Sequence, residues 1–220
     1  TITGPGGTGK TRLGLQVAEM LRRQQPACFP DGLFFVGLSS LTDPSQVVTA
    51  VAEVLHVREQ NGRSLLDNLK TDLQNKHLLL ILDNFEHVLA AAADIAALLT
   101  AVPGLRLLVT SQARLHLYGE YDYPLAPLPL PQPDELLSAA ELLNFAAIAL
   151  FVARVQAVQP GFALTEANRE AVVAICRQLD GMPLALELAA ARSKLFTPAA
   201  MLAQLNSRLR FLTGQARNLS

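Results

Sequence analysis

The chain has 220 residues, enough for one large domain or one domain with a smaller companion. Half of its residues are hydrophobic, 17% are charged and 5% aromatic, so a core can form and intrinsic disorder is excluded. Lys and Arg number 18 against 19 Asp and Glu, a net charge of −1 at pH 7 that argues against a nucleic-acid grip built on bulk basic charge.

Thr1-Ile2-Thr3 reads as the end of a strand, and Gly4 to Gly9 as a glycine-rich loop after it. From Lys10, the residues Leu13, Val17, Met20 and Leu21 recur at helical spacing, and the helix ends before Pro26 with Arg22-Arg23 at its C-terminal end, where cations suit the dipole. Gly32 to Gly37 is a short apolar run between glycines, hence a buried strand. Asp43-Pro44 opens a helix carrying Val47, Val51, Val54 and Leu55, and a further helix runs from about Ser64 to Asn75. His77 to Asp83 is a second buried strand, an alanine-rich helix stops at Pro103-Gly104, Leu105 to Thr110 is a third strand, and Tyr121 to Tyr123 is a candidate for one more.

Strands that alternate with helices predict an α/β fold: a parallel sheet with helices on both faces, since parallel neighbours need crossover connections and double-sided burial needs apolar strands. The texture changes at Pro124, Pro127, Pro129, Pro131 and Pro133, a segment that suits neither regular helix nor central strand. Beyond it only helices are predicted, over Leu136–Val158, Glu166–Leu179, Leu184–Ser193 and Ala199–Leu205. The expected organisation is an α/β domain over 1–125, a proline-rich linker over 126–133 and a small all-α subdomain over 134–220.

The stretch Val88 to Val102 is apolar, but Asp94 interrupts it and Pro103 stops it, too short a run to cross a bilayer. No signal peptide is visible, and Cys28 and Cys176, far apart and outside any CxxC pair, are expected as buried thiols in a reducing cytoplasm. A chain that opens on Thr1, almost directly on a motif, reads as an excised piece of a longer protein.

Gly4-Pro5-Gly6-Gly7-Thr8-Gly9-Lys10-Thr11 fits G-x-x-x-x-G-K-[ST] at every position, with a strand before it and an amphipathic helix after it. Glycines let the backbone N–H groups of Gly4, Gly6, Gly7, Thr8 and Gly9 curl around phosphate oxygens, and the helix that follows adds its positive end. Lys10 is placed to reach the β- and γ-phosphates and the Thr11 hydroxyl to ligate Mg²⁺. The competing reading is a glycine-rich turn with no ligand. Asp83 ends an apolar strand, where a carboxylate reaches the sheet edge at which ligands bind, and is the expected partner of Thr11 for Mg²⁺. Asn84 follows, which takes no proton, so Glu86 is the candidate to orient the attacking water; it fits equally a solvated helix-start residue. Slow hydrolysis is expected on that account.

Taken together, several segments resemble the STAND class of signal-transduction ATPases, in the NB-ARC group, and the ATPase module of large bacterial transcriptional regulators. They are Gly4 to Thr11 with Arg12-Leu13, Phe35 to Leu38 with Asp43-Pro44, Leu80 to His87, Leu107 to Ser111 and Gly181 to Leu188, the last similar to the family's GLPLA motif with Met182 for Leu. The resemblance implies ATP or ADP as ligand with Mg²⁺, Arg12 near the nucleotide and Pro183 against adenine. It implies a switch that rests with ADP, becomes assembly-competent with ATP, and has other domains of a parent chain as partners; direct nucleic-acid binding by this piece is not expected, on the net charge of −1. The family's γ-phosphate-sensing Arg falls at Gln112, and Arg114, two residues on, is the candidate replacement. Two other function classes stay open: a conventional P-loop enzyme, either a rapid ATPase or a small-molecule kinase, and an interaction module in which nucleotide is structural or absent.

Overall fold

The computed structural model describes residues 1–59, 62–133 and 135–216, without side chains beyond Ser207. Asp134 and residues 217–220, assigned above to the helical subdomain, lie outside the described residues. The chain forms two compact units, Thr1–Leu125 and Ala126–Ser220.

The first unit runs β1 (Ile2–Thr3), α1 (Lys10–Gln24), β2 (Leu33–Gly37), α2 (Gln46–Val54), α3 (Leu65–Leu73), β3 (Leu78–Asp83), α4 (Ala92–Ala101), β4 (Leu105–Ser111) and β5 (Tyr123–Pro124). The strands make one sheet in the order β2-β3-β4-β1-β5, every pair parallel. β3 is buried along its whole length, as an apolar strand between two covered faces must be. Its Leu80 and Leu82 meet Val36, Val51, Leu69, Ile95 and Val109 in the core. The register pairs Leu82 with Val109 and Ile2 with Thr110, so β4 stands between β1 and β3. The last residues of these three strands, Thr3, Asp83 and Ser111, therefore come out at one edge of the sheet. Pro124 lies on the edge strand β5, where its missing N–H costs no ladder bond.

The second unit runs α5 (Ala139–Leu142), α6 (Ala146–Val158), α7 (Arg169–Gln178), α8 (Pro183–Ala191) and α9 (Pro198–Ala216). Its own core gathers Ile148, Phe151, Val155, Val172, Ile175, Leu186 and Met201. The proline-rich segment is tied to this unit: Leu128 and Leu130 pack on its core, the Leu128 N–H donates to the Gly181 carbonyl at 3.0 Å, and the Arg177 guanidinium donates to the Pro131 and Gln132 carbonyls at 3.1 and 2.8 Å. α7 closes with its capping bonds, Asp180 N–H to Arg177 O at 2.9 Å and Gly181 N–H to Cys176 O at 3.0 Å. Both residues are left-handed, and a Cβ on Gly181 would lie 2.3 Å from the Leu128 carbonyl oxygen, so this corner admits only glycine.

Three expectations are corrected. The single helix over Leu136–Val158 is two helices. A capping box between Ser138 and Glu141 starts α5, and Phe145, in an extended conformation, restarts the chain as α6 so that Leu142 and Ile148 face one core. The last helix, expected over Ala199–Leu205, extends from Pro198 to Ala216. Cys176 is buried, and burial pushes its thiol up to about 12, but Cys28 is exposed because it sits on a surface 3₁₀ turn over Pro26–Cys28.

Candidate functional site

The glycine-rich segment leaves β1 and becomes the loop before α1. A Cβ on Gly4 would come within 2.8 Å of the Leu125 carbonyl oxygen, so the loop starts where the backbone of the neighbouring edge leaves no room for a side chain. Gly6 and Gly7 form the turn, and Gly9, left-handed at φ 94°, is the N-cap of α1. The Thr8 hydroxyl donates to the Pro5 carbonyl at 2.9 Å and fixes the loop internally. Lys10, only 7% exposed, folds back over the loop, and its ammonium donates to the Gly4 and Pro5 carbonyls at 2.8 and 3.0 Å. Thr11 and Arg12 follow in the first turn of α1, half-buried and exposed respectively.

Asp83 ends β3 and is buried at 6% exposure. The Thr110 hydroxyl, from the neighbouring strand, donates to Asp83 Oδ1 at 2.5 Å and accepts the Asn84 N–H at 3.1 Å. Asn84 is left-handed, at φ 62°, a conformation that Asn tolerates better than most side chains, and it turns the chain from the strand into the 3₁₀ turn Phe85–His87. Glu86 lies on that turn. Its Oε1 accepts from the side-chain amides of Gln112 at 3.2 Å and Asn84 at 3.4 Å. Its Oε2 is buried and has no hydrogen-bond partner among the described residues. The Gln112 amide also borders the loop: its Nε2 would lie 4.0 Å from a Cβ on Gly6.

Thus Lys10, Asp83, Glu86 and the loop glycines belong to one unit, with Asp83 and Glu86 tied to the end of β4 by Thr110 and Gln112. Arg114 is engaged elsewhere. Its Nε donates to Asp122 Oδ2 at 2.7 Å, while Asp122 Oδ1 accepts the Thr3 hydroxyl at 2.6 Å; the hydroxyl first and the guanidinium after it hold the Asp122 carboxyl below its ordinary range. Pro183 belongs to the second unit, as the first residue of α8. Thr110 and Gln112 are the residues that sequence reasoning left without a role in holding the carboxylates. Their signal was the polar Thr-Ser-Gln that ends the apolar run Leu107–Val109.

A family model for the AAA domain matches residues 1–121. The chain belongs to the AAA domain family. Over 218 residues this AAA chain is 37% identical to an HTH-type transcriptional regulator of Mycobacterium tuberculosis, covering 99% of itself and 23% of that protein. Over 200 residues it is 30% identical to the regulatory protein AfsR of Streptomyces griseus, covering 87% of itself and 18% of AfsR. The chain therefore spans about a quarter or less of the length of these relatives. Among solved structures it resembles Cdc6p of Pyrobaculum aerophilum, with a TM-score of 0.55 at 13% identity over 88% of this chain and 55% of that one. It also resembles the ORC2 protein of Aeropyrum pernix in its ADPNP and ADP complexes, with a TM-score of 0.53 at 16% identity over 93% of this chain and 60% of that one. At these identities the likeness is one of fold: a P-loop NTPase sheet with flanking helices, followed by helices.

Proposed function

We propose that this AAA chain is an adenine-nucleotide-binding module that works as a slow ATPase switch inside a larger regulatory protein. One observation supports the reading above the rest. The Lys10 ammonium is held against the carbonyls of the glycine loop, in the same unit as an Asp83 carboxylate fixed from β4 by Thr110. A phosphate chain entering the loop offers Lys10 anionic acceptors in place of neutral carbonyls and so adds ion-pair attraction to bonds that the ammonium already makes. The loop N–H groups and the N-terminus of α1 add fixed positive ends.

The donor set fits Mg²⁺, a hard cation that takes oxygen ligands. The Thr110 hydroxyl fixes the Asp83 carboxylate through Oδ1, and Thr11 and Asp83 are the residues that would hold the ion. Bound there, Mg²⁺ would neutralise charge on the β- and γ-phosphates. In hydrolysis a water oxygen bonds to the γ-phosphorus and the bond from that phosphorus to the β-phosphate oxygen breaks. Its electron pair leaves with ADP, and Glu86 accepts the water's proton. Arg12 and Pro183 are read as further nucleotide contacts, Pro183 against the base. Arg114 reaches a γ-phosphate only by giving up Asp122.

The switch reading of the STAND, NB-ARC type draws on two supports: the motif order from Gly4 to Leu188, and relatives whose names describe regulators. It carries with it other domains of a longer chain as partners, and ATP-dependent self-assembly of the whole protein. Denaturing the purified protein and identifying the released nucleotide by chromatography tests it, together with titration of ADP and ATP into wild type and Lys10→Ala. The expected result is adenine nucleotide, binding weakened at least tenfold by the substitution, and turnover far below the enzyme median of about 10 per second. Guanine specificity, undiminished binding by Lys10→Ala, or fast steady-state hydrolysis would each sink it.

A further inference from the structure

We propose that a cavity within the second unit binds a small apolar monocarboxylate, with the Lys194 ammonium as the partner of its charge. The cavity has a volume of about 380 Å³. Phe151, Phe162, Phe196 and Met201 line it, and all four belong to the core of this unit or pack against it. Ser193, Lys194 and Thr197 give the lining its polar side. Sites for small molecules have this mix, a mostly apolar wall with a few polar groups that fix orientation. At about 30 Å³ per water the space holds about a dozen waters, so a ligand of about ten to fifteen non-hydrogen atoms fills it. The cavity lies in a different unit from the glycine loop, and the proposal does not rest on nucleotide binding.

Three observations give the ligand its sign. No acidic residue lines the cavity among the described residues. Lys194 is exposed on the 3₁₀ turn Arg192–Lys194 that follows α8, and no ion pair or hydrogen bond engages its side chain among the described residues. α9 begins at the cavity, next to Thr197 and Pro198, and its first turn holds no acidic side chain to meet the positive end of the helix. Ser193 adds a donor. Its Oγ is buried without a hydrogen-bond partner among the described residues, which costs free energy until a change of rotamer brings it an acceptor. A carboxylate supplies both the charge and the acceptor, and the phenylalanine rings take an apolar body by offset stacking or edge contact. Lys194 is the one cationic side chain in the lining among the described residues, so one carboxylate is matched and a second would be left without a partner.

The probe is 3-phenylpropionate, which is in that size range, and the control is 3-phenylpropionamide, which keeps the shape and lacks the charge. Calorimetry with the wild type is expected to show saturable binding of the acid with a Kd below about 1 mM, an ordinary affinity for so few atoms. The amide is expected to bind at least about tenfold more weakly, as is the acid to Lys194→Ala, the factor for one lost hydrogen bond between charged groups. Lys194→Glu is expected to abolish binding, and both variants to melt with the wild type because the side chain is exposed. Location is read separately. The chain has no Trp, so Gln159→Trp, at an exposed residue of the lining, gives a single fluorophore whose emission is expected to change as the acid saturates. Absence of saturable binding to the wild type overturns the site, and equal binding of acid and amide overturns the assignment of its ligand. Undiminished binding to folded Lys194→Ala overturns the role of that ammonium. Unchanged emission from a Gln159→Trp protein that binds the acid by calorimetry places the ligand elsewhere and overturns the cavity.

Discussion

Thr110→Val is the sharpest perturbation of the site, because valine keeps the shape of threonine and removes only the hydroxyl. Thr110 is 1% exposed, so no water can replace what is lost. Two bonds go together: the one given to Asp83 Oδ1 at 2.5 Å and the one taken from the Asn84 N–H at 3.1 Å. A hydrogen bond to a charged group contributes about 1.5–3 kcal/mol, and an orphaned buried N–H costs about 1–3 kcal/mol. The two share one hydroxyl and do not add in full, which puts the loss at about 3 kcal/mol. For a unit of this size 1 kcal/mol moves the melting temperature by roughly 4 °C, so Thr110→Val is expected to melt about 10 °C lower. Thr110→Ser keeps both bonds and loses one methyl, about 1 kcal/mol or roughly 4 °C. Differential scanning calorimetry of the three proteins gives the ordering. If the valine variant melts at or above the serine variant, the hydroxyl contributes nothing and the bracing of Asp83 from β4 is refuted.

Gly181→Ala places a Cβ at 2.3 Å from the Leu128 carbonyl oxygen on a left-handed backbone, and is expected to destabilise the second unit by about 3 kcal/mol or more, read as a lowered denaturation midpoint. Native protein is expected to consume one equivalent of iodoacetamide at Cys28, with Cys176 reacting only after unfolding; mass spectrometry of the alkylated protein checks it. Burial raises Cys176 from 9.0 to about 12, so the folded state keeps a proton the unfolded chain gives up, and this contribution to stability is present below about pH 9 and lost as pH rises toward 12. In urea titrations Cys176→Ser is expected to remove that part of the alkaline decline. Phe85→Ala, at a fully buried side chain beside Asn84 and Glu86, is expected to cost about 3–5 kcal/mol in equilibrium denaturation.

The elements that could be read in the sequence are those whose pattern is set by local chemistry. Leu78 to Asp83 announces a central strand because an apolar run flanked by polar residues has few other uses, and all six residues are buried. Pro26 and Pro103 mark helix ends because a ring without an N–H cannot continue the ladder. The break between α5 and α6 stayed hidden because Leu142, Leu143, Phe145 and Ile148 keep an apolar texture across it. What ends the helix there is a reversal that lets both segments face the same core. The length of α9 stayed hidden for the opposite reason: Gln204, Asn206 and Ser207 dilute the apolar spacing. The exposure of Cys28 departs from the usual burial of thiols because a 3₁₀ turn holds it at the surface.

The site divides along the same line. Lys10 and Thr11 follow from spacing within eight residues, and Asp83 from its place at the end of an apolar strand. The contacts that tie Asp83 and Glu86 to the end of β4 span 27 and 26 residues of chain and exist only through the register of β3 on β4, whereas the Asn84 bond to Glu86 is local. Read along the chain, Asn84 looks like a missing carboxylate and Gln112 like a missing arginine. In the folded unit each is a donor, and both donate to the same oxygen of Glu86.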